Sequence, residues 1–238
     1  MNLELFIARR IAHNGSGNRP GVMVRIAVVA VALSVTVMIL ALAVIMGFKR
    51  EITDRVTGFS AQVEVADLRS AGSIESVPVL RSEQLERTIR SAGEVVRLTP
   101  YAVKGGVVKM PDAILGVMLK GVDGGYEWSF FRDHLLEGEL PRVGDSIRTK
   151  EILISRSVAQ EMGLAPGDKV EMLFVESEKS PRRDRFKVSG IYATGMDEFD
   201  RSVAMTDLRN VQRLADWSSD EVSGYEVTLA DFSQAEDF

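Results

Sequence analysis

The stretch from Ile26 to Met46, IAVVAVALSVTVMILALAVIM, decides the reading: 21 residues without a charge or a proline. About 20 such residues, wound as a helix, cross a hydrocarbon core. Its polar side chains are Ser34 and Thr36, whose hydroxyls can bond the carbonyl one turn back. The core helix of a soluble protein keeps a polar face, whereas this run is apolar all round. The competing reading is a cleaved signal peptide, because Ala41-Leu42-Ala43 has the small-x-small pattern. Against it, the apolar run continues through Val44, Ile45 and Met46, and 25 residues precede it. A retained span is expected.

Outward from the run, the two flanks differ in charge. Residues 1–50 carry six basic side chains (Arg9, Arg10, Arg19, Arg25, Lys49, Arg50) against the single acid Glu4, a net of +5. The whole chain is −5, so residues 51–238 carry −10. The arginines before the run place the N-terminus in the cytoplasm and the acidic body outside, in the periplasm of a two-membrane cell. A nucleic-acid binder would concentrate positive charge on its folded part, so nucleic acid is not an expected partner. A basic head suits contact with anionic membrane lipid. The chain has no cysteine, which excludes disulfides and thiolate metal sites but leaves the compartment open.

Before the run, Leu3, Phe6, Ile7 and Ile11 recur at helical spacing with Arg9, Arg10 and His13 between them. This is the pattern of an amphipathic helix lying in the interface, ahead of a turn over residues 15–20. After the run, Phe48, Ile52, Val56 and Phe59 continue at spacings of four, four and three, and Gly58 is the natural stop. The spanning helix is therefore expected to project beyond the bilayer as a stalk. Within the span, Ala27, Ala30, Ser34 and Ala41 share one face and would admit a neighbouring helix closely. About a third of a turn away, Val35, Ile39, Leu42 and Met46 form a bulky stripe, with Phe48 beyond it at the outer end. These five are the candidate contacts for lipid, a partner helix or an acyl chain. The expected organisation is an interfacial helix and turn over 1–20, the span and stalk over 21–58, and an outer domain over 59–238.

The outer domain reads as short strands and helices. Gln62-Val63-Glu64-Val65 alternates as a strand, and residues 82–90 open with the capping Ser82 and read as a helix. Apolar, β-branched runs follow at 95–103, 106–109 and 113–121. Residues 126–136 are aromatic-rich, helical or looped. A strand over 151–154 leads to a short helix over 155–162 capped by Gly163, then a turn into a strand over 169–175. A hairpin with a charged tip over 176–185 returns as a strand over 186–194. Another short helix over 207–215 and a last strand over 224–229 complete an α+β body, expected as two small subdomains. Ser233-Gln234-Ala235-Glu236 looks like the capped first turn of a further helix, so the chain is expected to be part of a longer protein.

Catalytic patterns are not found. There is no G-x-x-x-x-G-K-[ST] loop for ATP, no G-x-S-x-G elbow and no H-E-x-x-H pair. His13 and His134 fall on opposite sides of the span. The glycine-rich 121–125 segment reads as a turn rather than a phosphate cradle. Asp197, Glu198 and Asp200 read as a solvated loop rather than a cation site. The basic run Arg182-Arg183-Asp184-Arg185 reads as a soluble hairpin end, with contact to a partner or lipid headgroups as the alternative. The chain is expected not to be an enzyme and to hold no cofactor or metal.

Several segments together resemble the permeases of lipoprotein-releasing ABC transporters, within the wider FtsX-like and macrolide-exporter-like permease family. Phe6-Ile7-Ala8-Arg9-Arg10 is similar to that family's opening interfacial helix. Met46-Gly47-Phe48-Lys49-Arg50-Glu51-Ile52 resembles the stretch at the outer end of its first span, with Met where Asn is usual. Leu119-Lys120-Gly121-Val122-Asp123 and Leu136-Glu137-Gly138-Glu139-Leu140 resemble two of its outer segments. The most specific piece, residues 186–200, includes Gly190-Ile191-Tyr192-Ala193-Thr194-Gly195-Met196 and Asp200 and is similar to the lipoprotein-releasing branch. The resemblance covers nearly the whole chain, and no single motif carries it.

The resemblance implies an inner-membrane subunit that pairs with a second permease and with ABC ATPase subunits, which bind the ATP. It implies that ATP hydrolysis moves the stalks and outer domains, expelling an acylated lipoprotein toward a periplasmic carrier. In the family a hairpin between two late strands can dock that carrier; the matching residues here are Glu178, Pro181, Arg182 and Arg183, in a loop that looks short. Two other readings stay open. One is a related exporter of peptides or drugs, or a cell-division regulator. The other is a single-span anchored binding domain that works without an ATPase.

Overall fold

The computed structural model describes residues 3, 6–7, 22–59, 61–71, 76–92, 95–110, 113–144, 146–176, 179–196 and 200–230. Leu3, Phe6 and Ile7 are helical and exposed, while the rest of the expected interfacial helix and the turn after it lie outside the described residues. So does the expected helix start at Ser233. The chain separates into two compact units, Met1–Asp54 and Arg55–Phe238.

Helix α1, Val22–Phe59, runs unbroken for 38 residues, about 57 Å at 1.5 Å per residue. It passes through Gly58 and stops one residue later. The segment Val24–Lys49 is long and apolar enough to cross a membrane, and none of it is buried within the protein. At about 39 Å it exceeds the ~30 Å of a hydrocarbon core. Thr36 Oγ1 donates to the Ala32 carbonyl at 2.8 Å, the back-bond that lets a hydroxyl sit in an apolar span.

The body begins at strand β1, Val63–Ala66, and continues as β2 (Val79–Leu80), α2 (Glu83–Ser91), β3 (Val95–Lys109), β4 (Ile114–Val122), α3 (Ser129–Asp133) and β5 (Leu135–Gly138). Then come β6 (Glu151–Ser155), α4 (Arg156–Met162), β7 (Lys169–Glu176), β8 (Lys179–Tyr192), β9 (Val203–Asp207), α5 (Leu208–Ala215), β10 (Glu221–Val222) and β11 (Gly224–Leu229). Local chemistry sets the helix ends. Ser82 Oγ accepts from Leu85 N–H, and Ser155 Oγ from Val158 N–H, each satisfying an orphan donor of a first turn. Gly163 takes the left-handed conformation, φ 63°, that closes α4. The runs at 95–103 and 106–109, expected as two, are one strand passing over the Gly105-Gly106 pair.

Nine strands share one sheet, ordered β1-β11-β3-β4-β9-β6-β8-β5 with β7 bridging β8 and β3. Because β7 pairs with β8 along its length and with β3 at Val107↔Leu173 and Val108↔Met172, six strands (β3, β4, β9, β6, β8, β7) form a closed ring. Closure removes the edges of those six strands and leaves β1 and β5 as the terminal strands of the sheet. Inward positions alternate along β7 and β8: Val170, Met172 and Phe174 face the core, as do Phe186 and Val188. A Cβ on Gly106 would lie 2.6 Å from the Phe174 ring, so the glycine makes room for the largest side chain in that part of the core. α5 lies across β3 and β4, close enough that a Cβ on Gly121 would meet the Leu208 backbone at 2.9 Å.

A second, smaller apolar cluster gathers Val122, Phe131, Leu153, Tyr192, Val203 and Met205 under the aromatic residues Tyr126, Trp128 and Phe130. Phe131 meets Tyr192 edge to face at 5.1 Å. The two expected subdomains thus take the form of two cores on one shared sheet, within one compact unit. Three further corrections stand. The charged tip is shorter than 176–185, because Arg182, Arg183 and Arg185 already belong to β8 and pair with Phe174, Leu173 and Glu171. Val203–Asp207, unassigned in the sequence, is a fully buried strand. Residues 135–138 are a strand, β5.

Candidate functional site

The residues singled out in the span all lie on the exposed surface of α1. Ala27, Ala30, Ser34 and Ala41 fall within one narrow arc at about 100° per residue, and Val35, Ile39, Leu42 and Met46 within another. By the same rotation Phe48 falls on the arc of Ala30 and Ala41, away from the bulky stripe with which it was grouped. Each of these side chains needs lipid or another helix to cover it.

In the β7–β8 hairpin, the register shifts by one residue between Phe174 and Glu176, a bulge at which Pro181 is tolerated without its N–H. Pro181 and Arg183 face solvent, whereas Arg182 reaches back to Asp216 at 2.5 Å and to the Arg213 carbonyl at 3.2 Å. Glu178 lies outside the described residues. Of the four residues assigned to docking, two are thus presented outward and one is tied to the end of α5. Beside the hairpin, the outer faces of Gly105, Val107, Gly116, Met118, Leu173 and Val175 line an apolar groove of about 400 Å³, its floor left flat by the glycines.

At the opposite end of the hairpin lies a cleft of about 430 Å³ lined by Arg142, Thr149, Lys150, Glu151, Lys169, Arg185, Phe186 and Lys187. Glu151 is held by Arg142, whose Nη2 lies 2.8 Å from one carboxylate oxygen while its backbone N–H donates to the other at 2.9 Å. That hydrogen bonding, more than burial opposes it, keeps the Glu151 carboxyl below the usual range. Behind the cleft, the buried Asp184 accepts from Lys150 at 2.5 Å and from Arg213. Burial, with Arg213 and Arg148 close by, pushes the Lys150 ammonium down. The periodic cations Arg183, Arg185 and Lys187 were the sequence signal for this surface, since every second residue of a strand shares a face.

The most specific motif of the sequence, Thr194-Gly195 with Asp200, is a staple. The Asp200 carboxylate accepts from Thr194 N–H at 3.1 and 3.2 Å, from Thr194 Oγ1 at 2.8 Å and from Gly195 N–H at 3.2 Å. Its carbonyl accepts from Ser155 Oγ. These donors occupy both carboxylate oxygens, which suits closing a loop better than holding a cation; residues 197–199 lie outside the described residues. Gly195, at φ 77°, supplies the left-handed turn. The 121–125 segment is a turn in which Asp123 accepts from Gly125 N–H at 2.9 Å. The ring of His134 packs on Phe130 at 4.4 Å, its Nδ1 2.8 Å from the Phe130 carbonyl. Among the described residues no group of three or more His, Cys, Asp or Glu is arranged to hold a metal.

One cluster was missed. Lys120 and Glu226 are 7% and 8% exposed and form an ion pair between β4 and β11. Tyr101 donates its hydroxyl to Glu64 of β1, and the Lys120 ammonium lies 5.9 Å from the Tyr101 ring and 5.8 Å from that of Tyr126. Crowding away from water and repulsion by Glu226 push the Glu64 carboxyl up, with Lys120 opposing. One cation thus serves two carboxylates. The signal was a lone lysine in an otherwise apolar strand, a residue that is seldom buried unless paired.

Residues 26–238 match the MacB-like periplasmic core domain. The lipoprotein-releasing system transmembrane protein LolC of Xylella fastidiosa is 27% identical over 205 residues, 82% of this chain and 46% of that protein. LolE of Haemophilus influenzae, named for the same system, is 22% identical over 247 residues, 97% of this chain and 56% of that protein. The chain spans about half the length of these relatives. The periplasmic region of MacB from Actinobacillus actinomycetemcomitans is 14% identical with a TM-score of 0.45, covering 71% of this chain and 72% of that one.

Proposed function

This chain belongs to the family of MacB-like periplasmic core domains, and from that premise we propose that it forms part of an ABC-transporter permease that releases lipoproteins from the inner membrane. The observation that carries the reading is one apolar helix continuous with a stalk in a chain whose relatives are named for lipoprotein release. The N-terminus is cytoplasmic and the acidic body periplasmic, as the arginines before the span favour. ATP is bound and hydrolysed by separate ATPase subunits, and a second permease subunit, the same or related, completes the membrane portion.

In this reading the stripe Val35, Ile39, Leu42 and Met46 forms a wall against which the acyl chains of the substrate lie, exchanging lipid contacts for helix contacts at little cost. The small-residue face of Ala27, Ala30, Ser34 and Ala41 receives another helix, and Phe48 joins that face. The hairpin presents Pro181 and Arg183 to a periplasmic lipoprotein carrier, while Arg182 fixes the base from which they project. The family match also favours a second reading, export of a peptide or drug through the same architecture.

Depletion of the full-length protein in its host separates the two. Labelled mature lipoproteins accumulating in the inner membrane, with drug and peptide efflux intact, support lipoprotein release. Normal lipoprotein sorting with lost efflux selects the exporter.

A further inference from the structure

We propose that the cleft at the base of the β7–β8 hairpin is a binding site for a phosphate-bearing anion, either a phospholipid headgroup or free phosphate. The inference stands apart from the transport reading. Five cations, Arg142, Lys150, Lys169, Arg185 and Lys187, line the cleft with one carboxylate, Glu151, and Arg142 already holds that carboxylate. Lys150 is likewise engaged at its own carboxylate, Asp184, which it shares with Arg213. Arg185 lies 3.6 Å from the Glu171 carboxylate across the ladder, so the positive charge left to the cleft is that of Lys169 and Lys187.

The pairing of the strands sharpens the point. Lys169 and Lys187 are direct cross-strand partners in an antiparallel ladder, both exposed on the same face. Like charges directly opposite destabilise a sheet, and an anion between them reverses the sign of that interaction. This occurs on a body whose residues 51–238 carry −10, so the cleft departs locally from the prevailing field and would draw anions to one place. An open cleft of about 430 Å³ is on the scale of a headgroup rather than of a protein–protein interface. Lysines meet phosphate as point charges and arginines as forks, and the cleft offers both.

The test uses the full chain in dodecyl maltoside micelles, which carry no phosphate, at low ionic strength. Inorganic phosphate, dihexanoyl-phosphatidylglycerol below its micelle concentration, and polyglutamate are titrated in turn by calorimetry. Phosphate or the short lipid should bind the wild type, and Lys169→Gln with Lys187→Gln should weaken that binding at least tenfold. In phosphate-free buffer Lys169→Gln alone should melt no lower than the wild type, since the like-charge pair is gone; this readout separates loss of the site from loss of the fold. Lipid binding at least tenfold tighter than phosphate identifies a headgroup site, and equal affinity a site for the free ion. The proposal is overturned by the absence of both, by undiminished binding in the double variant, or by a lower melting point of Lys169→Gln. Binding of polyglutamate alone also overturns it, and makes the cleft a protein-docking surface.

Discussion

The span and the body dispose of their apolar surface in opposite ways. Along Val24–Lys49 every described side chain is exposed, so the helix is finished only by lipid or by other helices. In the body, Met172, Phe186, Leu119 and Val188 are wholly buried in the core of a closed ring of strands, and the polar exceptions, such as Lys120 with Glu226, carry their partners with them. A substitution in the body should therefore be felt as stability, and one in the span as insertion or assembly.

The largest effect should come from Lys120→Met. Removing the one cation leaves Glu226 buried and uncompensated beside Glu64, at a cost of about 3–5 kcal/mol. Urea unfolding followed by the fluorescence of Trp128 and Trp217 would measure it, while the membrane-bound fraction stays unchanged. A loss below about 1 kcal/mol would show that the pair is not buried as described.

Ile39→Asp should do the reverse. A carboxylate near the middle of the span costs about 2.5–3.5 kcal/mol of insertion, so the protein should leave the membrane fraction with its body still folded. Loss of body stability in that variant would break the comparison between the two regions.

The smallest effect is expected at Glu64. Its carboxyl is pushed up in the folded protein, so the folded state holds that proton more tightly than the unfolded chain. Stability then falls as pH rises from the ordinary glutamate value of 4.5 toward the raised one. Glu64→Gln should flatten that slope and leave stability near pH 7 equal or higher by less than about 1 kcal/mol, as thermal melts across pH 4–8 would read. A steeper slope in the variant would reverse the assigned direction.

The span was legible because twenty apolar residues have few other uses, and the caps at Ser82, Ser155 and Gly163 because each has a local hydrogen-bonding or conformational reason. Ring closure was not, because it rests on two residue pairs between β3 and β7 that no local pattern announces. Val203–Asp207 was overlooked since a five-residue strand buried on both faces lacks the alternation that marks a half-buried one. The charged tip was drawn too long for a related reason: Arg182-Arg183-Asp184-Arg185 looks like a solvated loop until alternate members are seen to turn inward, Asp184 to its salt bridges and Phe186 to the core. The docking residues suffered from that error, and Phe48 from being grouped by nearness along the chain instead of rotation around the helix.

The pairing of β1 with β11, Val63 opposite Val227, bears on how the protein is made. The first strand of the body waits for the last, roughly 160 residues later, which at ~5–20 residues per second is on the order of 8–30 seconds of synthesis. Throughout that interval the span has already emerged and can be captured by the membrane, while β1 and the edge of β3 over residues 95–101 lack their β11 partner. Anchoring thus precedes folding, and the growing chain depends on whatever shields unpaired strands on the far side of the membrane until Gly224–Leu229 arrives.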